Sequence, residues 1–219
     1  MSIERILISG INGKLGQAIH AELSKQYTLI GHYKHECLTT TVLSSNPDLI
    51  IDVSSAQTIT QHLDIYLQLQ KPTIVGTSGI SPQQAAQYTQ QAFPLLIVPN
   101  FSQGFRMLLQ QAITLRPHYS NIDIIETHHQ SKKDTPSGSS LFLADALHYP
   151  VQEIISKRVP EYTASHQVVF HSPYDSFSLQ HSLYAPEMFI AGVIEAIAYI
   201  QRLAHGEVML STITSPNLR

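Results

Sequence analysis

The segment RILISGINGKLG, residues 5–16, constrains the fold more than any other. A short apolar run ends at Gly10. A helical pattern then begins at Lys14, with Leu15, Ala18, Ile19 and Leu23 on one face. Strand, tight glycine turn and helix in that order open a β-α-β unit. The pattern recurs. YTLIGHY (27–33), DLIIDV (48–53), PTIVGT (72–77) and PLLIVP (94–99) read as strands. ITQHLDIYLQL (59–69) reads as a helix, and PQQAAQYTQQA (82–92) as a helix opened by proline. DLIIDV is apolar on both faces, as a central parallel strand must be. The first hundred residues therefore predict a Rossmann-type, doubly wound parallel α/β sheet with right-handed crossovers.

After Asn100 the rhythm changes. QGFRMLLQQAITL and GSSLFLADALH are helical, and NIDIIETHH alternates. SHQVVFHS and SFSLQHSL alternate on either side of PYD, which predicts an antiparallel hairpin. A long amphipathic helix, EMFIAGVIEAIAYIQRL, and a last strand, EVMLSTI, follow. The expectation is a dinucleotide-binding domain over 1–101, completed by 187–219, and a smaller α+β domain over 102–186 for substrate binding and oligomerisation.

Composition bounds the partners. The 219 residues are 43% apolar, enough for a core, with a formal net charge of −3 and no basic run. Neither nucleic acid nor a membrane surface is an expected partner. One cysteine, Cys37, precludes an internal disulfide framework and suits a reducing compartment. MSIERILISG carries Glu4 and lacks the shape of a secretory signal, so a cytoplasmic location is expected.

The glycine turn is G-x-x-G-x-x-G, at Gly10, Gly13 and Gly16. Gly10 suits a tight turn, and Gly13 lets a pyrophosphate approach helix N-terminal amides. Gly16 lets the helix lie close to the sheet. Lys14 adds a cation. Past the second strand, where an NAD site carries an acid for the ribose hydroxyls, this chain has Lys34 and His35, with Glu36 slightly late. A cation there favours NADPH, with NADH possible. GTSG (76–79) and PNFS (99–102) follow later strands at the edge where open α/β sheets bind ligands.

Between Glu126 and Asp134 the chain crowds His128, His129, Lys132 and Lys133 together, then continues TPSGSS. The lysines repel a cation, so no metal is expected. Imidazole and ammonium groups attract carboxylates, and a helix opening at PSGSS offers free amides to an anion.

ETHHQSKKDTPSGS resembles the signature of the dihydrodipicolinate reductase family, through Glu126, His128, His129, Lys132, Asp134, Pro136, Ser137 and Gly138, with Ser139 for the usual Thr. The glycine turn is similar to that family's, with Lys14 for Arg. DVSS (52–55), GTSG and NFSQG (100–104) resemble its later cofactor loops, in order. Ala185 and Pro186 stand where the family commonly has a Ser-Arg pair.

The resemblance implies NADPH- or NADH-dependent reduction of a cyclic imine dicarboxylate, 4-hydroxy-tetrahydrodipicolinate, towards diaminopimelate and lysine, by a homotetramer. It makes His128 the general acid/base and Lys132 the second catalytic group. His129, Lys132, Gly138 and Ser139 would grip the substrate carboxylates. Gly10, Asn12, Gly13, Lys14, Leu15 and Gly16 would hold the pyrophosphate end of the cofactor and Lys34 the adenosine end. Gly76, Thr77, Ser78, Pro99, Asn100 and Phe101 would lie nearer the nicotinamide. Another NADP-dependent reductase or amino-acid dehydrogenase would explain the glycines but not the charged segment. A catalytically silent nucleotide-binding module would leave His128 and Lys132 without a role.

Overall fold

The computed structural model describes residues 2–33, 36–77, 80, 84, 88, 93–161 and 164–203, with the backbone alone at 209–210. The chain divides into two units. One comprises Met1–Phe101 with Phe189–Thr212, and the other is built on Ser102–Met188.

In the first unit β1 (Arg5–Ser9) leads into α1 (Lys14–Leu23), followed by β2 (Thr28–His32), α2 (Leu38–Ser45), β3 (Leu49–Asp52) and α3 (Ile59–Leu69). β4 (Thr73–Val75) and β5 (Leu95–Ile97) come next. The sheet is parallel in the order β2-β1-β3-β4-β5, and β10 (Met209–Leu210) pairs with β5 at its far edge. All four residues of β3 are buried, because helices cover both faces. Leu7, Ile50 and Val75 pack with Leu38, Val42, Ile59, Leu63 and Tyr66 of α2 and α3. The apolar faces of α1 and of a later helix, α6 (Ile190–Arg202), meet each other, and α6 also meets β4 and β5. Each such aliphatic side chain taken from water contributes about 1.5–3 kcal/mol. The strand order reverses between β1 and β3, which opens a crevice at their carboxyl ends.

In the second unit α4 (Gln103–Leu115) precedes β6 (Asn121–His129), α5 (Gly138–Ala146), β7 (Ile155–Val159), β8 (Ala164–His171) and β9 (Ser176–Leu183). The sheet order is β7-β6-β8-β9, with β6 and β7 parallel and the rest antiparallel. Burial alternates along β6, so Ile122, Ile124, Glu126 and His128 face inward. Ile122 and Ile124 join Phe105, Leu109, Leu143 and Phe170 in a core under α4 and α5.

Two elements carry no anticipating pattern in the sequence, α2 and β7. α2 is a weakly amphipathic segment of Leu, Val, Ser and Thr, and β7 is short with a polar middle. Of the helix expected over 82–92, only Gln84 and Tyr88 fall within the described residues.

Candidate functional site

The glycine turn closes as its residues require. Gly10 has φ +88°, a region that L side chains avoid, and a Cβ there would lie 2.7 Å from the Val53 carbonyl oxygen. Gly13 begins α1 as its N-cap, with no side-chain hydrogen bond to the first-turn amides. Gly16 differs from expectation. The close neighbour its missing Cβ accommodates is the turn itself, since a Cβ would stand 2.3 Å from the Gly10 carbonyl oxygen and 2.8 Å from Ile11 Cα. The helix folds back over its own entry loop, and that packing, not contact with the sheet, demands glycine.

Beside the turn lies a cavity of about 530 Å³ at the carboxyl ends of β1, β2 and β3. Gly10, Asn12 and Gly13 line it, with His32, Glu36, Ser54 and His62 among the others. Lys14, Leu15 and Gly16 are not in its lining. Lys34 lies outside the described residues, so the cation expected past β2 is not placed. Glu36 is placed, and its Oε2 accepts from the backbone N–H of Tyr33 at 3.1 Å.

Under the cavity Asp52 is fully buried. It accepts from Tyr66 Oη (2.6 Å), Thr77 Oγ1 (2.6 Å), Ser54 Oγ (2.6 Å) and Ser54 N (2.9 Å), and pairs with His62 Nδ1 (2.7 Å). Burial works against its ionisation, but those hydrogen bonds outweigh it and hold its pKa below the usual range. Sequence reading took Asp52 only as part of a loop motif. The Asp-x-Ser spacing at a strand end, followed by His and Tyr four apart on α3, was the available signal.

The residues expected near the nicotinamide are engaged inside the first unit. Phe101 is buried with its ring against Gly76, where a Cβ would sit 2.1 Å from Cε2. Thr77 is spent on Asp52. Pro99 and Asn100 are partly exposed, and Ser78 lies outside the described residues. Gly76 is therefore small to admit Phe101 rather than to leave a space.

The second unit holds another buried carboxylate, Glu126. Its Oε2 accepts from Ser137 N and Ser140 Oγ, both at 2.9 Å, and its Oε1 from both terminal nitrogens of Arg158 at 3.2 Å. Burial opposes ionisation, yet the hydrogen bonds from Ser137 prevail and hold the pKa down to about 2. Ser137 also caps α5, with its Oγ accepting from Ser140 N.

Two residues on, His128 lies on the same face, its Nδ1 3.3 Å from Glu126 Oε2. No hydrogen bond forms there, so the carboxylate lies against the ring without holding a proton on it. His166, directly opposite Glu126 on β8, presents its ring edge to His128 with centroids 5.3 Å apart. Burial lowers the pKa of His128 to about 4, with Lys132 and Arg158 adding to the effect, and that of His166 to about 3. Both rings are neutral at neutral pH.

Lys132 follows in the loop, its Nζ 2.9 Å from Asp134 Oδ2, with about a quarter of the side chain exposed. Gly138 and Ser139 begin α5, as an anion cradle requires. His129 diverges from expectation. As the next residue along β6 it points to the opposite face from His128, and its Nδ1 meets Ser131 Oγ at 2.7 Å. Strand alternation separates the two histidines that the sequence sets side by side.

Glu126, His128 and His166 bring ligand-type atoms within 4.8 Å of one another. The guanidinium on Glu126 already supplies the positive charge that a metal ion would bring. Arg158 and His166 were missed in the sequence, since a lone Arg and a His in an alternating strand carry no local signal.

A parallel sheet with a glycine turn and a cavity at its switch point defines a Rossmann-type dinucleotide-binding protein, here with a second unit of mixed sheet. The family model described as "Dihydrodipicolinate reductase, N-terminus" matches residues 4–101, and "Dihydrodipicolinate reductase, C-terminus" matches 104–213. The chain belongs to the dihydrodipicolinate reductase family. Among relatives named 4-hydroxy-tetrahydrodipicolinate reductase, that of Carboxydothermus hydrogenoformans is 24% identical over 91% of this chain and 95% of its own. That of Coxiella burnetii is 28% identical over 65% of this chain. The match spans 62% of the Coxiella protein's length. A solved structure, dipicolinate-bound dihydrodipicolinate reductase from Paenisporosarcina sp. TG-14, superposes with a TM-score of 0.71 at 21% identity, covering 96% of this chain and 98% of that one. It shares the fold.

Proposed function

We propose that this protein reduces 4-hydroxy-tetrahydrodipicolinate to tetrahydrodipicolinate with NAD(P)H, in the route to diaminopimelate and lysine. One observation carries the reading. The signature segment folds into a single centre in which Glu126 binds the N-terminus of α5 and stands beside His128, with Lys132 and Asp134 in the intervening loop.

The first unit fits a nicotinamide dinucleotide. Gly10, Asn12 and Gly13 line the cavity at the N-terminus of α1, where helix amides suit a pyrophosphate, and the cavity is large enough for an adenosine. When bound, the cofactor supplies a hydride. Asn12 and Gly13 would hold the phosphates, with Lys14 as a nearby cation. A preference for NADPH rests on Lys34. The carboxylate of Glu36 in the same cavity suits ribose hydroxyls and repels a 2′-phosphate, which favours use of NADH as well.

In the second unit the amides and hydroxyls at Gly138 and Ser139, with the Lys132 ammonium, bind one substrate carboxylate. His128 and Lys132 are the proton-handling pair. His128 is neutral without ligand, and a dianion beside it strengthens its hold on a proton, so it becomes an acid when substrate arrives. His129 would serve the substrate only from the other face of β6. Ile125 and Val169 on that face stay partly exposed, which accords with a homotetramer built through this sheet. Sedimentation measures that state. No described helix is long and apolar enough to cross a membrane. We place the enzyme in the cytoplasm, with its cofactor pool.

The test mixes the protein with NADPH or NADH and enzymatically generated substrate and follows nicotinamide absorbance. Substrate-dependent oxidation supports the reading. Cofactor binding without turnover would identify a silent nucleotide-binding module.

A further inference from the structure

Arg158 stands on β7 as the direct cross-strand neighbour of His128. Its guanidinium is shared among several acceptors. Nη1 donates to Glu126 Oε1 (3.2 Å) and to the Lys157 carbonyl oxygen (2.9 Å). Nη2 donates to Glu126 Oε1 (3.2 Å), to the Asp134 carbonyl oxygen (2.7 Å) and to Thr135 Oγ1 (2.7 Å). One side chain thereby ties together the two chain segments that carry the proton-handling groups. Glu126 lies two residues before His128 on β6 and contacts its ring. Asp134 contacts Lys132 Nζ with its carboxylate while its own carbonyl is held by Arg158.

We infer that Arg158 is a positioning residue, fixing His128 relative to Lys132 through Glu126 and Asp134. The inference rests on the reduction proposed above, and Arg158 needs no contact with substrate. A planar fork with several donors serves this role, because it addresses a carboxylate and a loop carbonyl at once. A lysine there would offer donors from a single nitrogen, without the span by which two guanidinium nitrogens reach both segments. The guanidinium also offsets the charge of Glu126. The charged and titratable groups around His128 are Glu126, Arg158, Lys132, Asp134 and His166. Removing Arg158 leaves Glu126 uncompensated beneath the imidazole, so His128 must then bind a proton more tightly.

The experiment compares Arg158→Met, Arg158→Lys and Arg158→Ala in the full chain with the unaltered protein. Displacing a proton-handling group by about 1 Å costs roughly 100-fold, so kcat should fall about 100-fold in Arg158→Met. Arg158→Lys should fall about tenfold or more, since charge without the fork leaves the loop untied. The NAD(P)H dissociation constant should stay within about twofold, because that site belongs to the other unit. Two readouts would not follow from mere loosening of the fold. The His128 titration, read by NMR of the labelled imidazole, should move upward from about 4 in Arg158→Met. Added guanidinium ion should restore part of the turnover of Arg158→Ala.

An unmoved titration in Arg158→Met together with unchanged kcat in Arg158→Lys would overturn the inference. So would a kcat loss that guanidinium does not repair in a folded Arg158→Ala. If Arg158→Ala fails to fold, Arg158→Lys decides by the same kcat criterion and Arg158→Met by the titration. If the unaltered protein shows no turnover, the functional reading fails. The NMR shift then still decides whether Arg158 governs His128.

Discussion

Asp52 and Glu126 are both buried carboxylates on strands, one in each unit, and their surroundings are built from opposite chemistry. Asp52 is satisfied by two hydroxyls from its own edge of the sheet, a phenol, an amide and an imidazole, with no guanidinium or ammonium partner among the described residues. Glu126 shares a guanidinium with a loop and lies under two neutral imidazoles, both with Nδ1 buried and without a hydrogen-bond partner. Fixed dipoles around Asp52 hold a shape. Opposed charges around Glu126 hold a proton affinity that a ligand's charge can move. The first arrangement is a scaffold for the cavity beside it, and the second is the one the proposed reduction uses.

The sharpest break in that comparison is Lys132→Ala. It should reduce kcat by about 1,000-fold and leave NAD(P)H affinity nearly unchanged, as steady-state kinetics and fluorescence titration would show. Unaltered turnover would remove Lys132 from the mechanism.

Asp52→Ala should do the reverse. It strands buried donors from His62, Tyr66, Thr77 and Ser54, and should cost about 3 kcal/mol of stability in urea titration while kcat per folded molecule changes little. A large kcat loss in a stable Asp52→Ala protein would erase the distinction between the two carboxylates.

Acid provides the third test. Below the usual histidine value near 6.5, an unfolded chain takes up protons that buried His128 and His166 refuse until about 4 and about 3. The unfolded state then binds more protons, so stability falls as pH drops from 6.5 towards 3. Glu126, with its pKa depressed to about 2, contributes stability present above its unfolded value near 4.5 and lost as pH falls from there through 2. Melting curves at pH 7 and pH 4.5 should differ, and His166→Phe should flatten the slope. Equal melting temperatures at the two pH values would mean that the imidazoles are not held neutral.

The smallest effect concerns the cavity. Glu36→Gln should shift the ratio of NADPH to NADH efficiency towards NADPH by about fivefold, roughly 1 kcal/mol. No shift would detach Glu36 from the ribose.

Much of this was legible beforehand. The glycine turn, the apolar β3 and the alternation of β6 are local patterns, and each has a direct structural cause. Glu126, His128 and Lys132 stood out because titratable residues were crowded in a charge-poor chain. The partners that give them meaning were not visible. Arg158 and His166 act across strands, and spacing along the chain says nothing about cross-strand register. Gly76 and Gly16 show the complementary limit, since a glycine signals a close approach without naming the neighbour.

The alternation of β6 has one more consequence. Hydrogen-bonded pairing to β7 and β8 and the presentation of His128 are a single degree of freedom. A one-residue slip would swing His129 inward as a counterfeit imidazole, with Thr127 and not a carboxylate behind it. Such an isomer would keep every residue of the signature and lose the arrangement proposed for it.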